Sequence, residues 1–195
     1  MSRSSLAFSL GVLLVLNIIH TRLLYMTGKA HYETSHCNIS IFDVGHRILP
    51  DLHSSGWWLN SLLPAAAVLL VLVRSDRLVL LADIARLACP LLLARMVTTS
   101  LTVPPPTKQN HTCVSNRPTL VHFLEGHCYD FMFSGHTVVM MAVAAVLFGV
   151  NSPVAWAVVA LQMFILVLTR SHYTVDVVIS AITGFLFLRA GLRLP

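Results

Sequence analysis

Two histidines and an aspartate are the residues best placed to do chemistry. The segments Cys128-Tyr129-Asp130-Phe131-Met132-Phe133-Ser134-Gly135-His136-Thr137 and Arg170-Ser171-His172-Tyr173-Thr174-Val175-Asp176 are polar insertions where apolar sequence would otherwise continue. Ionisable groups at such positions are costly to desolvate and are functional candidates by default. Either insertion alone would be equally well explained as a helix end meeting lipid headgroups. Spacing joins them. His136 lies 16 residues before Ser152 and His172 lies 20 residues after it, about 24 Å and about 30 Å of helix. An antiparallel hairpin turning at Asn151-Ser152-Pro153 therefore returns His172 to the level of His136. Asp176 follows His172 by four residues, the spacing that shares one helix face. Its carboxylate would accept a hydrogen bond from the imidazole, fix the tautomer and support positive charge on the ring. An isolated His-x-x-x-Asp pair is more often structural; a second histidine delivered to the same place shifts the balance toward catalysis.

The elements that must hold these residues are apolar runs of helical length: Leu6–Tyr25, Trp57–Val73, Leu78–Val97, Phe131–Val150, Val154–Leu168 and Val177–Leu188. The chain has 195 residues, of which 56% are hydrophobic and 11% charged, and its mean hydropathy is +0.76. A soluble domain carries roughly 25% charged residues. The balance excludes a disordered tail and argues against a wetted enzyme surface. The expectation is an all-α polytopic membrane protein, a bundle of six transmembrane helices in a single integral domain over residues 1–195. The first run could instead be a signal peptide, but no small-residue cleavage site follows it, so a retained span is expected.

Connections alternate in character. Arg74-Ser75-Asp76-Arg77 and Asn151-Ser152-Pro153 are tight turns, whereas Met26–Gly56 and Thr98–His127 are long, polar and rich in His and Pro. By parity the long loops share one face, where loops of this length are usually functional. Each carries a glycosylation sequon, at Asn38 and Asn110, which favours a lumenal or extracellular face. The net charge of +5 comes from scattered basic residues without aromatic interleaving, so nucleic acid is not the expected partner. Four cysteines show no CxxC spacing; Cys113 and Cys128 could pair or stay free.

Ser134-Gly135-His136-Thr137 with His172-Tyr173-Thr174-x-Asp176-Val177 resembles the paired motif of the sphingomyelin synthases and related sphingolipid synthases, within the wider phosphatidic acid phosphatase type 2 (PAP2) superfamily. The family's first motif is C-G-D-x-x-x-S-G-H-T, and here Tyr129 replaces its glycine; the second, H-Y-T-x-D-V, is matched in full. A third motif, R-x-x-T-x-x-x-T-x-L-P-x-P, is approximated by Arg95, Thr98, Thr102 and Pro104-Pro105-Pro106, and a fourth is echoed by Leu49-Pro50-Asp51. The resemblance spans a catalytic core of about residues 50–190.

The resemblance implies a lipid phosphotransferase with a His–His–Asp triad and neither metal nor cofactor. His172, oriented by Asp176, would attack the phosphorus of a phospholipid headgroup. His136 would protonate the departing diacylglycerol oxygen and later deprotonate the acceptor alcohol. The leading donor is phosphatidylcholine and the leading acceptor ceramide; phosphoinositol or phosphoethanolamine transfer, or transfer to diacylglycerol, are close variants. The expected setting is the Golgi, endoplasmic reticulum or plasma membrane, with the site on the lumenal or extracellular side.

Phosphate oxygens need cations. Arg95 and Arg170 are the candidates, and an interface anchor is the alternative for Arg95. Asp130 could orient His136 or meet a cationic headgroup, or stabilise the N-terminus of the fourth span; Glu125 is a weaker case. Ser134, Gly135 and Tyr173 complete the substrate-facing set. The other histidines, His20 and His46 among them, read as scattered. Asp83 and Arg86 read as a buried ion pair. Two further readings stay open. A lipid phosphate phosphatase is disfavoured because Phe133 precedes Ser-Gly-His, Arg170 sits two residues from His172 instead of six, and no K-x6-R-P occurs. A non-enzymatic lipid-binding or transport protein would need His172 for nothing.

Overall fold

The computed structural model describes residues 41–52, 56–102, 104 and 132–191, with isolated helical positions at 11, 15, 18–20, 22 and 26. In chain order the elements are α1 (Val44–Ile48), α2 (Gly56–Leu72), α3 (Arg77–Leu101), α4 (Gly135–Phe148), α5 (Pro153–Leu168) and α6 (Thr174–Gly191).

α4, which carries His136, is the central helix and packs against α3, α5 and α6. Its residues from Thr137 to Ala144 are buried almost all the way round, as an apolar helix in the middle of a bundle must be. Met140, Met141 and Ala144 meet Ala155 and Val159 of α5 and Leu188 of α6. Nearer the His136 end, Phe133 and Val138 pack on Leu91 of α3. Ser152 and Pro153 open α5, proline occupying the first helical turn, where its missing N–H costs nothing.

The expected buried pair of Asp83 and Arg86 does not form: Arg86 is exposed and Asp83 half-buried. An exposed Arg86 needs no ion-pair partner, and such a pair would add little. Pro64 lies inside α2 and removes the N–H that would bond the Asn60 carbonyl. The amide of Gln162, from α5, donates to that carbonyl instead at 3.4 Å.

The periphery is apolar, with Leu69, Leu70 and Leu72 of α2, Val79, Leu93 and Val97 of α3, and Ile182 and Leu186 of α6 all exposed. Even so, no helix among the described residues is long and apolar enough to cross a membrane. α4 and α5 have 14 and 16 residues, about 21 and about 24 Å against a hydrocarbon core of about 30 Å. The longer α3 is interrupted by Asp83, Arg86 and Arg95. Among the described residues the structure thus gives a bundle of helices, none with the length and apolarity expected of a span; most of the first expected run, Leu6–Tyr25, lies outside them.

Candidate active site

His136 and His172 come together, ring centroids 6.2 Å apart and planes at 68°. Each owes its place to a helix start. Ser134 is the N-cap of α4, its Oγ accepting from the Thr137 N–H at 3.3 Å, an arrangement that stabilises the first turn. This puts His136 at the second helical residue. The backbone N–H of Ser134 donates to Ser180 Oγ at 2.7 Å, and that hydroxyl donates to the Asp176 carbonyl at 2.6 Å. One buried serine on α6 therefore ties the His136-bearing turn to the Asp176-bearing turn.

His172 sits in the five-residue connection 169–173 between α5 and α6. α5 ends in a Schellman motif: Ser171 N–H bonds Leu166 O at 3.0 Å and Arg170 N–H bonds Val167 O at 3.2 Å. Arg170 stands at the left-handed position, φ 58°, which glycine usually fills because a Cβ there costs roughly 1–2 kcal/mol. Its guanidinium offsets that strain, donating to the carbonyls of Leu49 at 2.9 Å and Val167 at 3.4 Å and lying 3.7 Å from Asp51. Arg170 is 5% exposed. The faint Leu49-Pro50-Asp51 echo thus becomes the partner of Arg170.

Asp176 lies behind His172, Nδ1 to Oδ2 3.6 Å. That is an ion-pair separation, longer than the hydrogen bond the spacing predicts. The reason is that His172 precedes the helix. The first intrahelical acceptor is Tyr173 O, so Tyr173 is the cap and Asp176 the third helical residue. Its Oδ2 reaches back to the Tyr173 N–H at 3.1 Å, half of a capping box. Asp176 is 1% exposed and His172 6%.

Arg95 reaches this site from α3. Its Nε donates to Phe133 O at 3.0 Å, and it acts electrostatically on His136, His172 and Asp176. Gly135 makes room for it: a Cβ there would stand 3.1 Å from Arg95 Nε and 3.4 Å from Cζ. Thr98 and Thr99 both donate to the Arg95 carbonyl, at 2.9 and 2.7 Å. His20 is buried against Thr99, Nε2 to Oγ1 3.0 Å. Asp130 and the proposed Cys113–Cys128 pair lie outside the described residues.

Three positions escaped the sequence reading. Asn60 of α2 donates from Nδ2 to Ser171 Oγ and accepts from Thr169 Oγ1 at 2.9 Å. His46, read as a scattered loop histidine, contacts His172 O through Nε2 at 2.9 Å. Asp43 accepts from His46 N at 2.8 Å and from Thr174 N and Oγ1 at 2.7 Å each. The available signal was Asp43 three residues before His46, a cap spacing, followed by Gly45 in an otherwise bulky segment. Burial alone would raise the Asp43 carboxyl, but the Thr174 hydroxyl and the two N–H donors hold it below its ordinary range. Burial lowers His46, against the raising effect of the His172 carbonyl.

Among the described residues no group of three His, Cys, Asp or Glu side chains is placed to hold a metal ion. What the arrangement does is gather two imidazoles, a carboxylate and a guanidinium.

Residues 127–190 match the family model described as PAP2 superfamily C-terminal. The chain is 40% identical over 83 residues to the phosphatidylinositol:ceramide inositolphosphotransferase of Trypanosoma cruzi (strain CL Brener), covering 36% of this chain and 25% of that protein. It is 38% identical over 61 residues to phosphatidylcholine:ceramide cholinephosphotransferase 1 of Caenorhabditis elegans, covering 27% of this chain and 13% of that protein. The matches thus span a quarter or less of each curated relative. In its paired histidine motifs and in these partial matches, the chain is similar to the sphingolipid synthases of the PAP2 superfamily.

Proposed function

We propose that this protein is a membrane phosphotransferase that moves a phosphorylated headgroup from a glycerophospholipid to ceramide. The observation that carries the reading is the approach of His136 to His172 at 6.2 Å, with Asp176 behind His172 and Arg95 beside both. Nδ1 of His172 faces the carboxylate, which leaves Nε2 as the nucleophile on phosphorus. The P–N bond forms as the bond to the diacylglycerol oxygen breaks, and His136 gives that oxygen its proton. His136 then takes the hydroxyl proton of the acceptor, whose oxygen attacks phosphorus and expels the imidazole. Arg95 neutralises charge growing on the phosphoryl oxygens; the guanidinium of Arg170 is engaged by Leu49 and Asp51 and acts through the fold of the turn.

The names of the two relatives share ceramide and differ in donor. Phosphocholine remains our leading headgroup, and phosphoinositol is the second reading, favoured by the Trypanosoma cruzi match. The apolar periphery supports a place in the bilayer, with the site on the lumenal or extracellular side. The test is purified protein in vesicles with fluorescent ceramide and, in turn, phosphatidylcholine, phosphatidylinositol and phosphatidylethanolamine. One donor should yield a labelled phosphosphingolipid, and His172→Ala should lower the rate by at least about 10³-fold. Product release without an acceptor would mean a phosphatase. No product from any donor would refute the proposal.

A further inference from the structure

The backbone of His172 is held at both of its polar groups. Its N–H bonds Leu166 O at 3.3 Å, inside the turn that closes α5. Its carbonyl precedes the cap of α6, where the Asp176 N–H bonds Tyr173 O. His46 Nε2 donates to the His172 carbonyl at 2.9 Å. Since a carbonyl only accepts, Nε2 carries a proton whether His46 is neutral or charged, and the bond survives either state.

α1 is pressed against this turn by independent contacts. The Asp43 carboxylate caps two helices at once, taking the His46 N–H of α1 and both the N–H and the hydroxyl of Thr174 of α6. The His46 and Tyr173 rings pack at 5.5 Å. Gly45 permits the approach, for a Cβ there would fall 2.2 Å from Thr174 Oγ1 and 2.7 Å from Val167 Cγ1.

We infer that Asp43 and His46 form a clamp that positions the nucleophile, His46 fixing the carbonyl of His172 so that its ring keeps Nδ1 toward Asp176 and stays steeply inclined to the ring of His136. The inference rests on His172 being the nucleophile. With the peptide fixed at N–H and C=O, only the two side-chain torsions of His172 remain, and Asp176 and His136 bound those. Without His46 the carbonyl end loses this hold, and a ring displaced by an ångström loses the line of attack.

The experiment compares wild type with His46→Phe, which keeps a ring against Tyr173 but no donor, and His46→Gln, whose amide reaches the Nε2 position. His46→Asn, too short to reach, serves if the Phe variant does not fold. Ceramide transfer is measured alongside the melting temperature and the rate at which diethyl pyrocarbonate modifies His172, read by peptide mass spectrometry. His46→Phe should lower kcat about ten-fold or more with KM nearly unchanged, Gln should recover most of it, and Asn should not. His172 should be modified several-fold faster in Phe or Asn than in wild type or Gln, since modification follows the population of the released turn. Equal kcat and equal modification rates across the variants would overturn the clamp. So would parallel losses in Gln and Phe that track melting temperature. If wild type transfers nothing, the proposed function falls, and the modification rates still decide whether His46 holds His172.

Discussion

Gly45→Ala, taken together with Thr174→Ala, tests how closely the fold depends on α1 lying against the start of α6. An alanine Cβ at position 45 would stand 2.2 Å from Thr174 Oγ1 and 2.7 Å from Val167 Cγ1, roughly an ångström inside ordinary contact. Overpacking of this kind costs about 1–3 kcal/mol. The Val167 methyl can turn away. The Thr174 hydroxyl cannot do so without leaving Asp43 Oδ1, to which it donates at 2.7 Å, and a hydrogen bond to a charged group is worth about 1.5–3 kcal/mol. Against this, alanine is the better helix former by about 1 kcal/mol. The net expectation for Gly45→Ala is a loss of about 2 kcal/mol, a fall in Tm of about 4–8 °C for a chain of this size.

Thr174→Ala alone removes the hydroxyl but keeps its N–H on Asp43 Oδ2, a loss of about 1.5 kcal/mol. In the double variant the 2.2 Å contact no longer exists, so the second substitution should cost little more than the first. The double-mutant cycle should therefore show a coupling of about 1.5 kcal/mol, well outside the about 0.5 kcal/mol scatter of independent sites. The assay is denaturant unfolding of the four proteins in one detergent, monitored by tryptophan fluorescence. Additive losses, or a Gly45→Ala protein as stable as wild type, would show that α1 does not sit where its glycine requires.

Arg170→Gly and Arg170→Ala both lose the bonds to Leu49 and Asp51, but only glycine relieves the left-handed backbone; the glycine variant should be the more stable by about 1 kcal/mol in the same unfolding assay. Ser180→Ala strands the buried Ser134 N–H, at a cost of about 1–3 kcal/mol, and should reduce transfer more than binding because the tie between the two histidine turns is lost; Ser180→Thr should restore it. His46 is held below its ordinary pKa of 6.5 chiefly by burial, so the unfolded chain takes up its proton first. Its contribution to stability is then present above about pH 6.5 and lost as pH falls toward the lower folded value. Melting temperatures of wild type and His46→Gln should therefore converge as pH falls below about 6.5, the wild type falling more steeply, and identical pH dependence in the two would refute the shift.

The parts of the site legible in the sequence were those fixed by spacing along a helix. His136 and His172 could be brought together because rise per residue and one tight turn determine where a hairpin returns. The four-residue step to Asp176 pointed to the right partner but the wrong contact. The step was laid on a helix, whereas His172 lies in the turn before it and Asp176 spends one oxygen on the Tyr173 N–H. Asn60 and His46 were illegible for a different reason. Each acts across more than a hundred residues, on Ser171 and on the His172 carbonyl, and a backbone carbonyl leaves no mark in a sequence. Arg170 was legible as a cation near His172, but its task depends on a dihedral angle that residue type does not announce. The expected six spans were drawn from apolar composition, which does not register that α4 and α5 stop after 14 and 16 residues.

These differences share a physical cause that bears on how such a site achieves precision. A nucleophile on a helix face would inherit its position from the helix, with only its rotamer to control. Here the nucleophile candidate sits on a five-residue connection, where the backbone itself is free to move unless its polar groups are claimed. The surrounding helices claim them: Leu166 O takes the His172 N–H, His46 takes the carbonyl, Asn60 takes the Ser171 hydroxyl, and Asp43 with Asp176 caps the helix that follows. Satisfying buried polar groups and aiming the imidazole are then one requirement, because each bond that relieves a desolvation cost also removes a degree of freedom from the turn. A turn built this way tolerates a strained Arg170, since releasing the strain would strand several partners at once. On the proposed function, residues that never touch phosphorus would act on the chemistry through the bonds that hold the His172 backbone in place.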